Sequence, residues 1–291
     1  PMPDMRINNQ DFLSRILEEW KKFMAGGEVD ERVVRKQVLA AWQRSRDKMV
    51  DPYQGDGRTV LRGKKLSSVL ESNAALIEVA RPFLHELYQL LEGYAFFVFI
   101  TDASGVILEM LGDDHVLSVA ENMSFVRGAI WDEINVGATT ISAILHSREA
   151  MQMTGAEHYC VGSHRWTCSG APLLDENGDL LGVINVTGAS GLVHKHTFGM
   201  VSAAAQSIHY LLRMRQQNKA LLQMNTLLNK VFEAVAEPLI VLDGGLRVEN
   251  FNAAASRLLG RSLRAGDDFF RTAPSKQATK KQLASSGYLF S

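Results

Sequence analysis

Hydrophobic positions in the first third of the chain recur every three to four residues, and from residue 94 the recurrence changes. Phe12, Leu13, Ile16, Leu17, Trp20, Phe23 and Met24 fall on one stripe, with Arg15, Glu18, Glu19, Lys21 and Lys22 opposite. The spacing predicts an amphipathic helix over 11–24, ended by Gly26 and Gly27. Asp30 is placed to cap a second helix whose apolar face is Val34, Val38, Ala41 and Trp42. Residues 51–57 form a loop by composition. A third helical stretch starts at Leu66 and shows Leu70, Ile77, Leu84, Leu87 and Leu91 on its core face. Pro82 is expected to kink or divide it.

From Tyr94 to Ile100 the chain is apolar, aromatic and β-branched; turn residues 101–105 follow, and an extended pattern resumes over 106–111, which predicts a hairpin. Helices are expected over 115–123 and 136–147, then a strand over 150–154. Ser169–Leu174 and Leu180–Thr187, joined by the turn 175–179, predict a second hairpin. Strands arriving in hairpin pairs, with helices between and around them, give an α+β fold with an antiparallel sheet.

Residues 197–232 contain no proline and one glycine, Gly199, and predict a long helix. Ser207, Leu211, Met214, Asn218, Leu221, Asn225, Leu228 and Phe232 alternate at spacings of four and three, a heptad seam. Two asparagines in such a seam cost stability and fix register and oligomer state, so a parallel dimeric helix is expected; the alternative is a helix that only caps the sheet. After Pro238 come a strand over 239–242, a turn, a strand over 246–250 and a short helix over 252–259 stopped by Gly260. Two strands and one helix are too little for a core of their own. Residues 261–291 are polar and weakly patterned.

The 291 residues suggest about two domains of ordinary globular composition. Lys and Arg number 31 and Asp and Glu 32, a formal charge of -1, which argues against a dominant polyanion-binding surface. Two cysteines exclude a disulfide framework and fit a reducing compartment. The longest apolar run, Tyr94–Ile100, is seven residues, far short of the ~20 that cross a bilayer. Pro1–Arg6 lacks the apolar core of a signal peptide. A soluble cytoplasmic protein without membrane association is therefore expected. No phosphate-binding loop, dinucleotide fingerprint, H-E-x-x-H or G-x-S-x-G is present.

Four stretches together carry a resemblance: 136–145 (VGATTISAIL), 155–160 (GAEHYC), 166–172 (WTCSGAP) and 178–186 (GDLLGVINV). They resemble the GAF-type domain of sigma-54-dependent transcription activators of the acetoin-catabolism and glycerol-metabolism regulator group. Ala41–Arg46 followed by Asp51-Pro52 is similar to that group's N-terminal signature, and Leu239–Asp243 with Asn250–Ala254 resembles the start of a PAS domain. The resemblance implies an N-terminal helical segment over 1–65, a GAF-like sensor over 66–196, a connecting heptad helix over 197–233 and a partial PAS-like unit over 234–291. It also implies a small pocket walled by the 155–168 loop. The lining residues it suggests are Tyr159, Cys160, Trp166 and Cys168, with Trp131 and Phe125 as secondary candidates; the alternative for each is plain core, as aromatics are needed to fill volume.

Other chemistry is thinner. His158, Cys160, His164 and Cys168 lie within eleven residues and are of zinc-ligating types, but H-x-C-x3-H-x3-C is not a standard spacing, and no metal or cofactor is expected. Asp132, Glu133 and Glu157 are read as solvated surface, as are Arg213, Arg215 and Lys219; His194 and His196 are read as exposed loop. No catalytic residues are assigned. The resemblance implies a sensory region, a homodimer whose signal is a small metabolite or a metabolic enzyme. RNA polymerase and DNA would be reached only through modules this sequence lacks. Two alternatives stay open: a cysteine-using enzyme of the methionine sulfoxide reductase type, and an interaction module with no small ligand.

Overall fold

The computed structural model describes residues 9–53, 59–192, 195–259 and 264–268. The chain divides into two compact units, 1–215 and 216–291.

The first unit is built on a five-stranded antiparallel sheet of β1 (Phe96–Asp102), β2 (Ile107–Gly112), β3 (Met151–Thr154), β4 (Trp166–Leu174) and β5 (Leu180–Ala189), in spatial order β2-β1-β5-β4-β3. Successive strand residues face opposite sides. Phe97 and Phe99 therefore enter one core, and Phe96, Val98 and Ile100 the other. Both faces of the sheet are covered, which is why β1 reads as an unbroken apolar run rather than an alternating one. The close pairing of β1 and β5 needs Gly182, because a Cβ there would collide with the Thr101 carbonyl.

One face carries α4 (Ala74–Leu91) and the beginning of α8 (Lys195–Ala234), whose Val201, Ala204, Ala205 and Ile208 are buried in that core. The other face carries α1 (Asn9–Met24), α2 (Lys36–Asp47), α5 (Asp114–Glu121), α6 (Glu133–Val136) and α7 (Thr140–Ser147). Ile16, Trp20, Phe23, Val38, Ala41 and Trp42 from the N-terminal helices join the same core as Phe97, Phe99, Trp131 and Trp166. The expected α+β architecture with helices on an antiparallel sheet is the one observed.

Three local expectations are corrected. Asp30 does not cap α2: its carboxylate accepts from the Arg32 backbone N–H (2.9 Å) and guanidinium, its carbonyl accepts from Val33 and Val34, and α2 starts at Lys36. The short side chain found a local turn instead. The stretch after Leu66 divides at Asn73, between α3 (Gly63–Ser72) and α4, and α4 runs through Pro82. Asn73 gives both its backbone N–H and its side-chain amide to the Val69 carbonyl, which terminates α3. The expected helix over 136–147 is two helices, because Gly137 (φ 67°) sits between them in a conformation L side chains rarely adopt. A Cβ there would also press on Tyr159.

The second unit holds the hairpin of β6 (Ile240–Leu242) and β7 (Val248–Phe251), followed by α9 (Ala253–Leu259). Asn252 is fully buried and fastens the unit: its Oδ1 accepts from the Leu239 and Ala255 N–H groups, and its Nδ2 donates to the carbonyls of Phe232, Val235 and Glu237. Gly260, most of 261–291, His194, residues 54–57 of the expected loop and the N-terminal Pro1–Arg6 lie outside the described residues. No described helix is long and apolar enough to cross a membrane.

Candidate functional site

Between β3 and β4 the chain runs through two short 3-10 turns, Gly155–Glu157 and Val161–Arg165. The Glu157 carboxylate closes the first by accepting the Thr154 N–H at 2.9 Å, and Gly155 takes φ 57°. This wall is tied to the N-terminal helices from outside. The Trp42 indole N–H donates to the Glu157 carbonyl (2.7 Å), and the Trp20 indole N–H to the Tyr159 carbonyl (2.9 Å). The Trp20 ring meets His164 edge-on at 4.9 Å. Arg35 reaches the Glu157 carboxylate at 2.8 Å and the Gln152 carbonyl at 2.5 Å. Glu157 is 3 % exposed, so this is a buried ion pair, which is costly to break from either side. A second one joins Glu133 to Arg44 (3.0 Å) and Lys48 (2.7 Å) of α2 and the residue after it.

Behind the wall lies a cavity of about 10 Å³, lined by Phe125, Trp131, Thr139, Thr140, Ile141, His158, Ser163, Trp166 and Cys168. The Phe125 and Trp131 rings are stacked, and Trp166 donates its indole N–H to the Met123 sulfur at 3.1 Å. His158 is 1 % exposed. Its Nδ1 lies 3.0 Å from the Gly155 carbonyl, and its Nε2 has no partner among the described residues. Burial holds the His158 imidazole down at about 4; the Gly155 carbonyl bond opposes it, and the neighbouring His164 and Arg35 add smaller downward contributions. His164, whose Nε2 meets the His158 carbonyl, is likewise lowered to about 4 by burial. The Cys168 thiol, 3.3 Å from the Thr187 hydroxyl, is pushed up to about 12 by burial. A thiol in that state is a small apolar filler rather than a nucleophile.

Of the residues expected to line a pocket, Trp131, Trp166, Cys168 and Phe125 come together around this cavity. Tyr159 and Cys160 are buried beside it: Tyr159 packs on Gly137, and the Cys160 thiol reaches the Asp51 carbonyl at 3.5 Å. The hydroxyl and imidazole part of the lining, Thr139, Thr140, Ser163 and His158, was missed as such. Thr139 had a signal, since its side chain and that of Ser142 cap α7 reciprocally. Glu133 and Glu157 are corrected from solvated surface to buried partners of basic residues near residues 35–48. Asp132 instead caps α6 by accepting from the Asn135 N–H at 2.8 Å. His196 is exposed but helical rather than loop. Among the described residues no group of three or more His, Cys, Asp or Glu side chains is close enough to hold a metal ion.

The profile of the family described as MimR, N-terminal domain, matches residues 16–209, and that of a PAS domain matches residues 226–284. The acetoin dehydrogenase operon transcriptional activator AcoR of Bacillus subtilis (strain 168) is 32% identical over 205 residues, 70% of this chain and 34% of that protein. The propane 2-monooxygenase operon transcriptional activator MimR of Mycolicibacterium goodii is 25% identical over 195 residues, 66% of this chain and 32% of its own length. The chain thus spans about a third of these relatives. Among solved structures, the crystal structure of the E. coli DhaR(N)–DhaL complex has a similar fold, with a TM-score of 0.75 at 18% identity over 87% of each chain.

Proposed function

The chain belongs to the family of MimR N-terminal domains, and from that premise we propose that it is the signal-receiving region of a bacterial, cytoplasmic, sigma-54-dependent transcription activator. It has a GAF-like receptor, an output helix and the start of a PAS-like unit. Its relatives are activators of metabolic operons. The proposed division remains 1–65, 66–196, 197–233 and 234–291. The chain carries no phosphate-binding loop, so ATP-driven contact with RNA polymerase and sequence-specific DNA binding would come from modules outside it. It is not proposed to be an enzyme.

One observation carries this reading. α8 buries Val201, Ala204, Ala205 and Ile208 against the sheet, then shows an apolar seam to solvent. Leu211 is 41% exposed, Met214 39%, Leu221 62% and Leu228 57%. Leu221 and Leu228 lie one heptad apart, as do Asn218 and Asn225, so a second copy of the helix would bury the leucines and let the asparagines fix the register. A signal that shifts the packing of 201–208 would then shift helix pairing downstream, provided that its source binds the two arrangements unequally.

The source is a small molecule in the cavity or a protein docked outside. The cavity's volume favours the second, since about 10 Å³ is room for roughly one water and ligand pockets are usually ~300 Å³ or more. A thermal-shift screen separates the two, because a ligand bound only by the folded state raises Tm. The helix reading is tested by sedimentation equilibrium of the full chain at tens of micromolar. A dimer is expected, converted to folded monomer by L221D together with L228D. A monomeric wild type would overturn it.

A further inference from the structure

The exposed apolar arc of α8 is wider than one helix seam can use. Leu221, Leu222, Met224, Leu227, Leu228 and Val231 are each more than half exposed. On a seven-position wheel with Asn218 at a, these side chains occupy c, d, e and g. A two-stranded pairing through a and d covers those positions and the flanking e and g. Leu227, at c, would stay in water.

Two heptad seams share this arc. The first is Asn218, Leu221, Asn225, Leu228 and Phe232; the second is Gln217, Leu221, Met224, Leu228 and Val231. Both alternate spacings of three and four, and Leu221 and Leu228 belong to both, at d in the first and at a in the second. The seam centres are one wheel step apart, a turn of about 50° at 3.5 residues per turn. Pairing through the first buries the two asparagines, with Leu222 on its flank. Pairing through the second moves the asparagines to the flank, buries Met224 and Val231 in their place, and brings Leu227 beside the seam. The first pays desolvation of the amides and lets them bond across the pair; the second gains apolar area. Each pairing gives up something that the other keeps.

The occupant of either seam is a second copy of α8. Between residues 216 and 232 the charged side chains are Lys219 and Lys230, at b and f, outside both seams and their flanks. No like charges therefore meet in a parallel pair, and identical heptads set asparagine opposite asparagine and leucine opposite leucine. We propose that α8 is a two-position coupler: a second copy pairs with it through the asparagine seam or through the seam of Met224 and Val231, and a turn of about 50° exchanges the two. The proposal rests on the reading of α8 as a paired output helix and names what changes when a signal arrives. A shift of Val201, Ala204, Ala205 and Ile208 against the sheet turns the helix, and the turn selects the seam.

The test uses the full chain with one added cysteine at a time, oxidised with copper phenanthroline. N225C reports the first seam and M224C the second; Q223C, at f and outside both, is the control. These three positions are exposed, so the substitutions leave the core intact, and the wild type is the blank because Cys160 and Cys168 are buried. A disulfide needs Cα atoms within about 7 Å, so N225C and M224C are each expected to cross-link at least about tenfold faster than Q223C. N218L removes one asparagine layer; added to each reporter, it is expected to speed N225C and slow M224C by about threefold or more. Cross-linking of one reporter alone, or of Q223C as fast as the others, would overturn the proposal, as would a ratio of rates unmoved by N218L. Sedimentation keeps the two readings apart. A monomer overturns the paired helix itself, whereas a tetramer, which covers the whole arc at once, overturns the two seams alone.

Discussion

The indole N–H of Trp42 and the backbone carbonyl of Glu157 are 115 positions apart in sequence and 2.7 Å apart in the fold. Both are buried, so the bond is shielded from water. The 155–165 wall is therefore held from the N-terminal helices and not only by its own turns.

Removing that donor has a defined cost. W42F keeps most of the ring volume and leaves the Glu157 carbonyl unpaired, which should destabilise the chain by about 1–3 kcal/mol. Urea unfolding followed by circular dichroism measures it. A change below about 0.5 kcal/mol would mean that the bond is not holding the wall.

Stability should also depend on pH through the two histidines of the wall. His158 and His164 ordinarily titrate near 6.5 and are held at about 4 in the fold. Below 6.5 the unfolded imidazoles take up protons that the folded ones refuse, so the unfolded state binds more protons and stability falls as pH drops from 6.5 to 4. Below 4 these groups add no further slope. Each contributes at most about 1.4 kcal/mol per pH unit, and the half-buried His164 less than His158. Asp30, held at about 2 by its bonds to Arg32, titrates beneath this window. Unfolding free energies measured at intervals from pH 7 to about 4 give the slope, and H158F should flatten it. An unchanged slope in that variant would place the titration elsewhere.

Cys168 should be inert in the native chain. Its thiol is buried and raised to about 12, so almost no thiolate exists at neutral pH. Iodoacetamide at about pH 8 is expected to leave it unmodified until urea unfolds the chain, as read by mass spectrometry of the peptide. Rapid labelling of the folded protein would revive the cysteine-enzyme reading.

Local signals in the sequence carried the fold well and the site only in part. The sheet was legible because hairpin turns and strand patterning are written within ten residues of each other, as in 169–187. The long helix was legible for the same reason, being free of proline over its length. Asp30 misled because a short carboxylate serves a turn as readily as a cap. Glu133 and Glu157 misled because a carboxylate shows its partner only when the partner is close in sequence, and Arg44 and Arg35 are 89 and 122 residues away. His158 stood out only as a metal-type residue. That its second nitrogen would be stranded in a cavity follows from Gly155 taking the first, a fact of three-dimensional geometry.

The grip of α1 and α2 on the wall has a consequence during synthesis. These helices leave the ribosome before the wall they grip, with Ile16, Trp20, Val38 and Trp42 uncovered, and wait for more than a hundred further residues before their partners exist. Their apolar faces thus stay uncovered until the 155–165 wall has been made. A shortened version starting at residue 66 would escape that exposure but would be born with its wall unbraced.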